Sequence, residues 1–165
     1  QSNPFGSDTA STGNWVRAIP EPVDYSGDKQ LEAYSGSYDL VTGAGGGWWW
    51  NAGAYDIDNG VTSIRSPNIA LPNTSQITLS FFYYFAHASN SSSADYLRVT
   101  VVGSDSQLVF EELGESVDDD AVWEAFSFSL NNFAGQTIYL LVEAADEGSG
   151  SLVEAGLDDV LIIAE

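Results

Sequence analysis

The segment Asp-Ile-Asp-Asn-Gly at positions 56–60 concentrates oxygen ligands of the kind that bind Ca²⁺. Asp56, Asp58 and Asn59 place two carboxylates and an amide close together, and Gly60 permits a sharp turn. Ca²⁺ takes about six to eight oxygens from carboxylates, amides and backbone carbonyls, so further ligands must come from elsewhere in the chain. An alternative interpretation needs no metal, because Asn-Gly is a preferred centre of a tight hairpin turn.

A second acidic pair, Asp158–Asp159, lies inside an apolar segment near position 165. If that segment is a strand with alternating faces, one of the two carboxylates must face inward between Leu157 and Leu161. A carboxylate among apolar neighbours is unfavourable unless it is paired or bound to a metal, so we predict that this pair supplies further Ca²⁺ ligands. The alternative is that the pair protects a strand edge against aggregation.

Three consecutive tryptophans, Trp48, Trp49 and Trp50, stand among glycines in the segment from position 43 to 55, here called the tryptophan loop. In an extended segment, Trp48 and Trp50 would share one side and Trp49 would take the other. Exposed indoles suit the apolar faces of sugar rings or a pocket on a partner protein, and Tyr38 and Tyr55 add hydrogen-bonding groups. The alternative is that the indoles plug one end of the fold.

The chain offers little for catalysis. His87 is its one histidine and there is no cysteine, which excludes a His-rich zinc site and a thiolate nucleophile. No Gly-x-Ser-x-Gly motif is present, and we expect His87 to be a packed residue. We expect the run Asp118–Asp120 to be solvated. A carboxylate pair for glycoside cleavage stays open among 24 acids, but nothing singles one out, and we predict that the protein is not an enzyme.

The charge of the chain excludes several classes of partner. Its 165 residues carry 24 Asp and Glu against four Lys and Arg, a formal net charge of −20. Four cations cannot neutralise several phosphates, so nucleic acids and anionic membranes are poor partners. No apolar run approaches the roughly 18 residues of a spanning helix, so we expect no membrane insertion. The acidity and the lack of cysteine suit a secreted, extracellular protein.

Strand patterns dominate from about residue 61 onward, and no helix-length segment shows an apolar period of three to four residues. Six segments rich in β-branched and aromatic residues are separated by turn-forming clusters: Ser75–Ala88, Asp95–Gly103, Ser106–Leu113, Ala121–Leu130, Gln136–Ala145 and Ala155–Ala164. This spacing predicts an all-β fold, a two-sheet antiparallel jelly-roll sandwich. Imperfect alternation in the fourth segment suggests a bulge near Ala125.

Residues 1–60 differ in composition from residues 61–165. They are rich in Gly, Ser, Pro and Asp, yet they also carry many aromatic side chains. A true linker would not carry so many aromatics, so we expect ordered loops packed on the sandwich. We therefore predict one jelly-roll domain over residues 1–165, with 1–60 as a loop-rich segment and 61–165 as the main strands.

Four segments in order resemble the MAM-like, cleaved-adhesin-type jelly-roll modules of secreted bacterial hydrolases and adhesins: Tyr55–Pro72, Ile77–His87, Asn132–Asp146 and Gly150–Ile162. The opening segments Gly6–Pro22 and Tyr34–Gly43 are also similar to that family, so the resemblance covers nearly the whole chain. Its most telling parts are the sequence TSIRSP before a strand and the acidic pair before the last apolar strand. The three tryptophans depart from the family's plain Gly/Ser loop.

The resemblance implies an accessory module without catalysis that often carries a structural Ca²⁺. Similar modules bind this ion between an N-terminal segment and the last strand, which points to Asp158, with Asp8, Asp24 and Asp28 as further candidates. Together with the tryptophan loop, this predicts a non-catalytic extracellular module, stabilised by Ca²⁺, that binds a polysaccharide or a cell-surface ligand. The alternative is a Ca²⁺-dependent adhesin or a self-assembling fibre subunit, whose tryptophans dock into another copy of the chain.

Overall fold

The structure is a computed structural model that describes residues 8–74 and 76–165. The described residues form thirteen strands: β1 Trp15–Ala18, β2 Val23–Asp24, β3 Asp28–Gln30, β4 Asp39–Thr42, β5 Gly47–Trp48, β6 Gly60–Arg65, β7 Ile69–Ala70, β8 Ile77–His87, β9 Tyr96–Val102, β10 Ser106–Leu113, β11 Glu124–Ser129, β12 Thr137–Asp146 and β13 Val153–Ala164. A single-turn 3₁₀ helix occupies Asn131–Phe133, and two 3₁₀ turns separated by a kink occupy Trp49–Ala54. No described helix has the length and apolar character needed to cross a membrane.

The two main sheets form the predicted antiparallel sandwich. One has the order β1-β4-β13-β8-β11 and the other β10-β9-β12-β6, with β7 paired to β12. All six predicted strand segments are confirmed, as β8 to β13, although Ser75 at the start of the first lies outside the described residues. The fold class predicted from the sequence is therefore the observed one.

Alternation along β8 and β12 builds the core between the sheets. Every second residue of β8, from Ile77 to Phe85, is buried in one apolar cluster, and β12 contributes Ile138 to Ala144 in the same way. Phe81 touches the rings of Phe110 and Phe126 at centroid distances of 5.7 and 5.0 Å. The period of two therefore places one face of each strand in a shared core.

The prediction of a bulge near Ala125 is wrong. β11 pairs with β8 in regular register from Glu124 opposite Tyr83 to Ser129 opposite Thr78. In this sheet the register shifts instead in β13, between Asp158 and Leu161. A bulge inserts an unpaired residue and changes which residues face the core on either side of it.

The segment before residue 60 contributes more regular structure than the sequence predicted. β1 and β4 join the five-stranded sheet, whereas β3, β2 and β5 form a small third sheet in which β2 and β5 are parallel. This segment covers the outer face of the five-stranded sheet, where Tyr34 stacks on Phe82 of β8 with ring centroids 3.6 Å apart. Short strands rich in Gly and Asp carry almost no periodic pattern, which is why the sequence indicated loops there.

Candidate functional site

A cleft of about 370 Å³ joins the tryptophan loop to the first acidic segment. Tyr25, Trp49, Asp56, Asp58 and Asn90 line it, together with residues 150–152. Aromatic, carboxylate and amide groups therefore line one opening. This combination fits a ligand that has both an apolar face and hydroxyl groups.

The tryptophan loop bends where the sequence predicted an extended run. Trp48 is the last residue of β5, and Trp49 has a φ of +42° at the start of the 3₁₀ turn. The expectation that Trp48 and Trp50 share one side therefore rests on a conformation that the chain does not adopt. Trp48, Trp49 and Trp50 keep 59%, 57% and 87% of their surface exposed, so none of them plugs the fold. The rings of Tyr25 and Trp49 meet in an edge-type contact with 6.2 Å between centroids, which steadies this indole at the cleft.

Asp56 forms the floor of the cleft. It is buried, its Oδ2 accepts a 3.3 Å hydrogen bond from the Val153 backbone N–H, and its Oδ1 has no partner. Burial, followed by the charge of Asp58, raises the pKa of Asp56 to about 7. Asp58 is only half-buried, and its Oδ2 accepts a hydrogen bond from the Thr12 hydroxyl at 2.9 Å. The carboxyl of Asp56 is thus held beside a like charge with one oxygen unused.

Asp146 and Asp95 extend this acidic group, and the sequence did not single them out. Both are buried, and burial followed by the charge of Asp95 raises the pKa of Asp146. Asp146 Oδ1 accepts hydrogen bonds from the Ser151 backbone N–H and hydroxyl at 3.1 and 3.2 Å, whereas its Oδ2 has no partner. Asp95 is fully used as an acceptor, for example from the Ser91 hydroxyl at 2.7 Å and the Glu147 backbone N–H at 2.8 Å.

Glu154 links the floor of the cleft to the outer face of the five-stranded sheet. It is fully buried beside Thr42, whose hydroxyl donates to its Oε2 at 3.3 Å, and its Oε1 has no partner. Burial, followed by the charge of Asp56, raises the pKa of Glu154 well above its ordinary value. Neither Glu154 nor Asp56 forms an ion pair with a cationic side chain among the described residues. Protonation of one carboxyl, or a bound cation, would therefore relieve the repulsion between them.

The second acidic pair lies elsewhere, and neither member faces the core as the sequence predicted. Asp159 sits at the bulge of β13 with a φ of +48° and is exposed, while Asp158 is half-buried. The Ser35 backbone N–H donates to Asp158 Oδ2 at 2.9 Å, and its hydroxyl donates to Asp159 Oδ1 at 2.7 Å. Asp158 follows Val153 by five residues of strand, or about 16 Å, so it does not share a site with Asp56.

Asp39 completes this second group, which the sequence also missed. It is buried, and neither of its carboxylate oxygens has a hydrogen-bond partner. Burial, followed by the charge of Asp158, raises the pKa of Asp39 to about 7. Its place beside the half-buried Asp158 depends on the pairing of β4 with β13, which local sequence does not show.

The remaining predicted site residues are dispersed. Asp8 Oδ1 accepts a 3.0 Å hydrogen bond from the Ser63 backbone N–H, and Asp28 is exposed on β3. Asp24 lies on β2 opposite Trp48. Half-exposed Tyr38 and Tyr55 do not line the cleft, and the Arg17 guanidinium lies over the Tyr38 ring at 4.8 Å.

A ready-made metal centre is absent from the part of the chain that the structure describes, since no three His, Cys, Asp or Glu side chains are grouped closely enough to hold an ion. The donor chemistry nevertheless fits Ca²⁺ in both acidic groups. Buried oxygens of Asp56, Asp146 and Asp39 lack hydrogen-bond partners. Ca²⁺ binds oxygen ligands of this kind and completes its shell with backbone carbonyls and water.

His87 and the run Asp118–Asp120 have structural roles. His87 Nε2 accepts from the Glu115 backbone N–H at 3.3 Å, while its Nδ1 faces the Ala88 carbonyl at the same distance. The run is not simply solvated as predicted, because buried Lys29 binds two of its carboxylates.

Comparison with protein-family models found no match, and comparison with curated proteins found none either. Comparison with solved structures found several sandwiches. A cleaved adhesin domain of Lys-gingipain from Porphyromonas gingivalis is 17% identical with a TM-score of 0.53, over 93% of this chain and 86% of that one. The glycoside hydrolase domain of Endo-D from Streptococcus pneumoniae is 14% identical with a TM-score of 0.51, over 93% of this chain but 21% of that one.

A second cleaved adhesin domain of Lys-gingipain is 17% identical with a TM-score of 0.49, over 98% of this chain and 96% of that one. What the first two structures share with this chain is the fold. The predicted resemblance to cleaved-adhesin-type modules is therefore supported as a likeness of fold. The predicted resemblance to MAM-like modules stays a prediction.

Proposed function

We propose that this protein is a non-catalytic extracellular module that binds a polysaccharide in the cleft between Trp49 and Asp58. The observation that carries the proposal is an indole with 57% of its surface exposed, placed beside carboxylate and amide groups in one opening. An adhesin domain shares the fold, but a fold alone does not set function, so the proposal rests on this cleft.

The cleft matches the two kinds of surface on a sugar ring. Trp49 and Tyr25 present aromatic faces and edges to the C–H side of the ring, where contact removes apolar area from water. Asp58 and Asn90 provide an acceptor and an amide for the hydroxyl groups. A module that binds a polysaccharide in this way raises the local concentration of an attached enzyme or cell at that polysaccharide.

Ca²⁺ is the proposed cofactor, and it would supply positive charge to buried carboxylates. One site would use Asp56 with Asp58 and would be completed by backbone carbonyls and water, and the unpartnered Oδ1 and raised pKa of Asp56 support it. A second would use Asp39 with Asp158, between the N-terminal segment and β13. Removing repulsion within each group stabilises the fold, and at Asp56 it also steadies the cleft floor.

A second candidate function is self-assembly through the tryptophan loop. Trp50 is 87% exposed and does not line the cleft, so its indole is available to a pocket on another copy. The net charge of −20 opposes association between copies unless cations screen it. This alternative therefore requires assembly that depends on Ca²⁺ and on Trp50.

The two functions are separated by a matched pair of variants, Trp49→Ala and Trp50→Ala. Each is titrated with neutral oligosaccharides (cellohexaose, xylohexaose, laminarihexaose) while tryptophan fluorescence is recorded with Ca²⁺ present. We expect Trp49→Ala to weaken binding about 30-fold, as for a central aromatic contact, and Trp50→Ala to leave it unchanged. Binding that survives Trp49→Ala contradicts the cleft proposal. Large species in sedimentation that vanish with Trp50→Ala support self-assembly.

A further inference from the structure

The last part of β13 has an edge without a partner strand. β13 pairs with β8 along its length on both sides of the bulge, but its pairing with β4 on the other side covers only Gly156 and Leu157. Among the described residues, no strand therefore pairs with the outer edge of residues 160–164, here called the open edge. Three of its side chains keep about half of their surface exposed: Val160, Leu161 and Ile163.

The open edge presents backbone hydrogen-bonding groups. The Glu165 backbone N–H donates to the Gln76 carbonyl at 2.9 Å, so residue 165 points its N–H toward the side of β8. Because N–H groups alternate from side to side along a strand, those of Ile162 and Ala164 point the other way, to the open edge. A strand edge of this kind is a template for one more extended chain.

An apolar cavity of about 160 Å³ lies beside the open edge, and Val160 belongs to both. A cavity of about 150 Å³ with an apolar lining can hold a benzene ring, so this one has room for an aromatic side chain. It shares no lining residue with the cleft at Trp49. Its lining includes core residues that are at most 4% exposed: Phe81, Val99, Leu140 and Leu157.

The charges around the open edge favour a basic partner. Exposed Asp159 precedes the edge and exposed Glu165 follows it, and the net charge of −20 adds to the same negative potential. Arg65 also lines the cavity, but its guanidinium lies 4.5 Å from the centroid of the Tyr139 ring, on the outer face of the other sheet. A second copy of this chain would bring the same negative charge and is therefore a poor partner.

We propose that the open edge and its cavity bind an extended, basic segment of a partner protein, which adds one more strand to the five-stranded sheet. The backbone of this segment pairs with Ile162 and Ala164, and an aromatic side chain near its centre enters the cavity beside Val160. Basic residues at its two ends lie near Asp159 and Glu165. A small apolar molecule would use the cavity alone, whereas an extended chain uses both the cavity and the edge.

The probe for the test is the acetylated and amidated heptapeptide Lys-Val-Thr-Phe-Thr-Val-Lys, added to the whole protein. Amide hydrogen exchange in ¹⁵N spectra reports the pairing. We expect the Ile162 and Ala164 amides to exchange more slowly when the peptide is bound, while the Leu161 amide, which points to β8, stays unchanged. Replacing the phenylalanine of the peptide by alanine should weaken binding about 30-fold, because the cavity is left empty. Replacing both lysines by glutamate should weaken it about tenfold.

A matched pair of variants tests the open edge without altering the core. Ala164→Pro removes an N–H that the pairing with β8 does not use, and proline is tolerated at such edge positions, so the fold is retained. This variant should bind the peptide about tenfold more weakly, whereas Ala164→Ser keeps the N–H and the affinity. Trp49→Ala also leaves peptide affinity unchanged, so this site and the polysaccharide site succeed or fail separately.

The proposal is overturned if the peptide does not bind, if binding leaves the Ile162 and Ala164 amides unprotected, if the alanine peptide binds equally well, or if Ala164→Pro has no effect. Another occupant would also overturn it. Peptide binding seen only with Phe5→Ala would show that the chain's own Phe5, which lies outside the described residues, fills the cavity. A dimer in sedimentation that Ala164→Pro abolishes would show that a second copy covers the open edge.

Discussion

Lys29 Nζ donates a 2.6 Å hydrogen bond to Asp120 Oδ1 from a fully buried position. The same ammonium reaches Asp118 Oδ2 at 2.9 Å and the Asp119 carbonyl at 3.0 Å. A strand of the small third sheet is thereby fastened to a loop about ninety residues later, and the one lysine of this acidic chain is used inside the fold. The run Asp118–Asp120 is therefore a structural clamp.

Replacement of Lys29 by methionine removes this clamp and leaves its carboxylates unpaired. We expect the free energy of unfolding to fall by about 3 kcal/mol, near the lower end for breaking a buried pair, because both aspartates keep access to water. Urea unfolding measures the change. Glu111→Gln is the control, since it breaks the exposed pair with Arg98 and costs at most about 1 kcal/mol. Equal effects of the two variants would refute the clamp.

Gly156 of β13 should not tolerate a side chain. A Cβ at this position would clash with the ring of buried Tyr84 on the neighbouring β8, so Gly156→Ala should destabilise the protein by about 2 kcal/mol through overpacking. Gly150→Ala is the matched control, because its added Cβ would meet Asp146 at an ordinary contact distance of 3.7 Å. Thermal unfolding of both variants compares them, and an unchanged midpoint for Gly156→Ala would show that the ring moves freely.

Stability without cations should fall as the pH rises. Asp39 and Asp56 have pKa values near 7 in the folded protein against 3.8 as the ordinary value. Between about pH 4 and pH 7 the folded state therefore binds more protons than the unfolded state, and the free energy of unfolding falls as the pH rises. The contribution of these two carboxyls to stability is complete below about pH 4 and is lost as the pH passes 7. Urea unfolding in chelator should give a lower free energy at pH 8 than at pH 5, by on the order of 3 kcal/mol.

The Asp39→Asn/Asp56→Asn double variant separates these two groups from the general repulsion among 24 acids. It should show a flatter dependence on pH, because the amides do not titrate. A wild-type stability that rises between pH 5 and pH 8 in chelator would contradict the assignment.

Ca²⁺ should raise the melting temperature at pH 8. An ion that binds only the folded state adds about 2.7 kcal/mol at a concentration 100 times its dissociation constant, which corresponds to roughly 5–10 °C for a domain of this size. Calorimetry with Ca²⁺ or with chelator measures the shift. Asp39→Asn and Asp56→Asn should each reduce it, whereas Asp105→Asn, in a turn, should not. If neither Asp39→Asn nor Asp56→Asn reduces the rise in melting temperature with Ca²⁺, both proposed Ca²⁺ sites are wrong.

The strands of the second half could be predicted because burial on one face imposes a period of two. β8 and β12 carry that pattern over ten or more residues, so their existence and the sandwich follow from it. The exposed indoles could be predicted for a related reason, since Trp48 to Trp50 stand among glycines that offer them little cover. The bend at Trp49 could not, because it depends on the turn that follows β5.

The sequence by itself determined the class of fold, the acidic charge and the presence of an aromatic loop, because these follow from composition and local period. Only the tertiary structure decided which carboxylates are buried. Asp56 and Asp146 are about ninety residues apart and meet through the pairing of β6 with β12 and the contact of Asp56 with β13, while the bulge of β13 keeps Asp159 out of the core. Burial and proximity depend on long-range pairing, which no local pattern encodes.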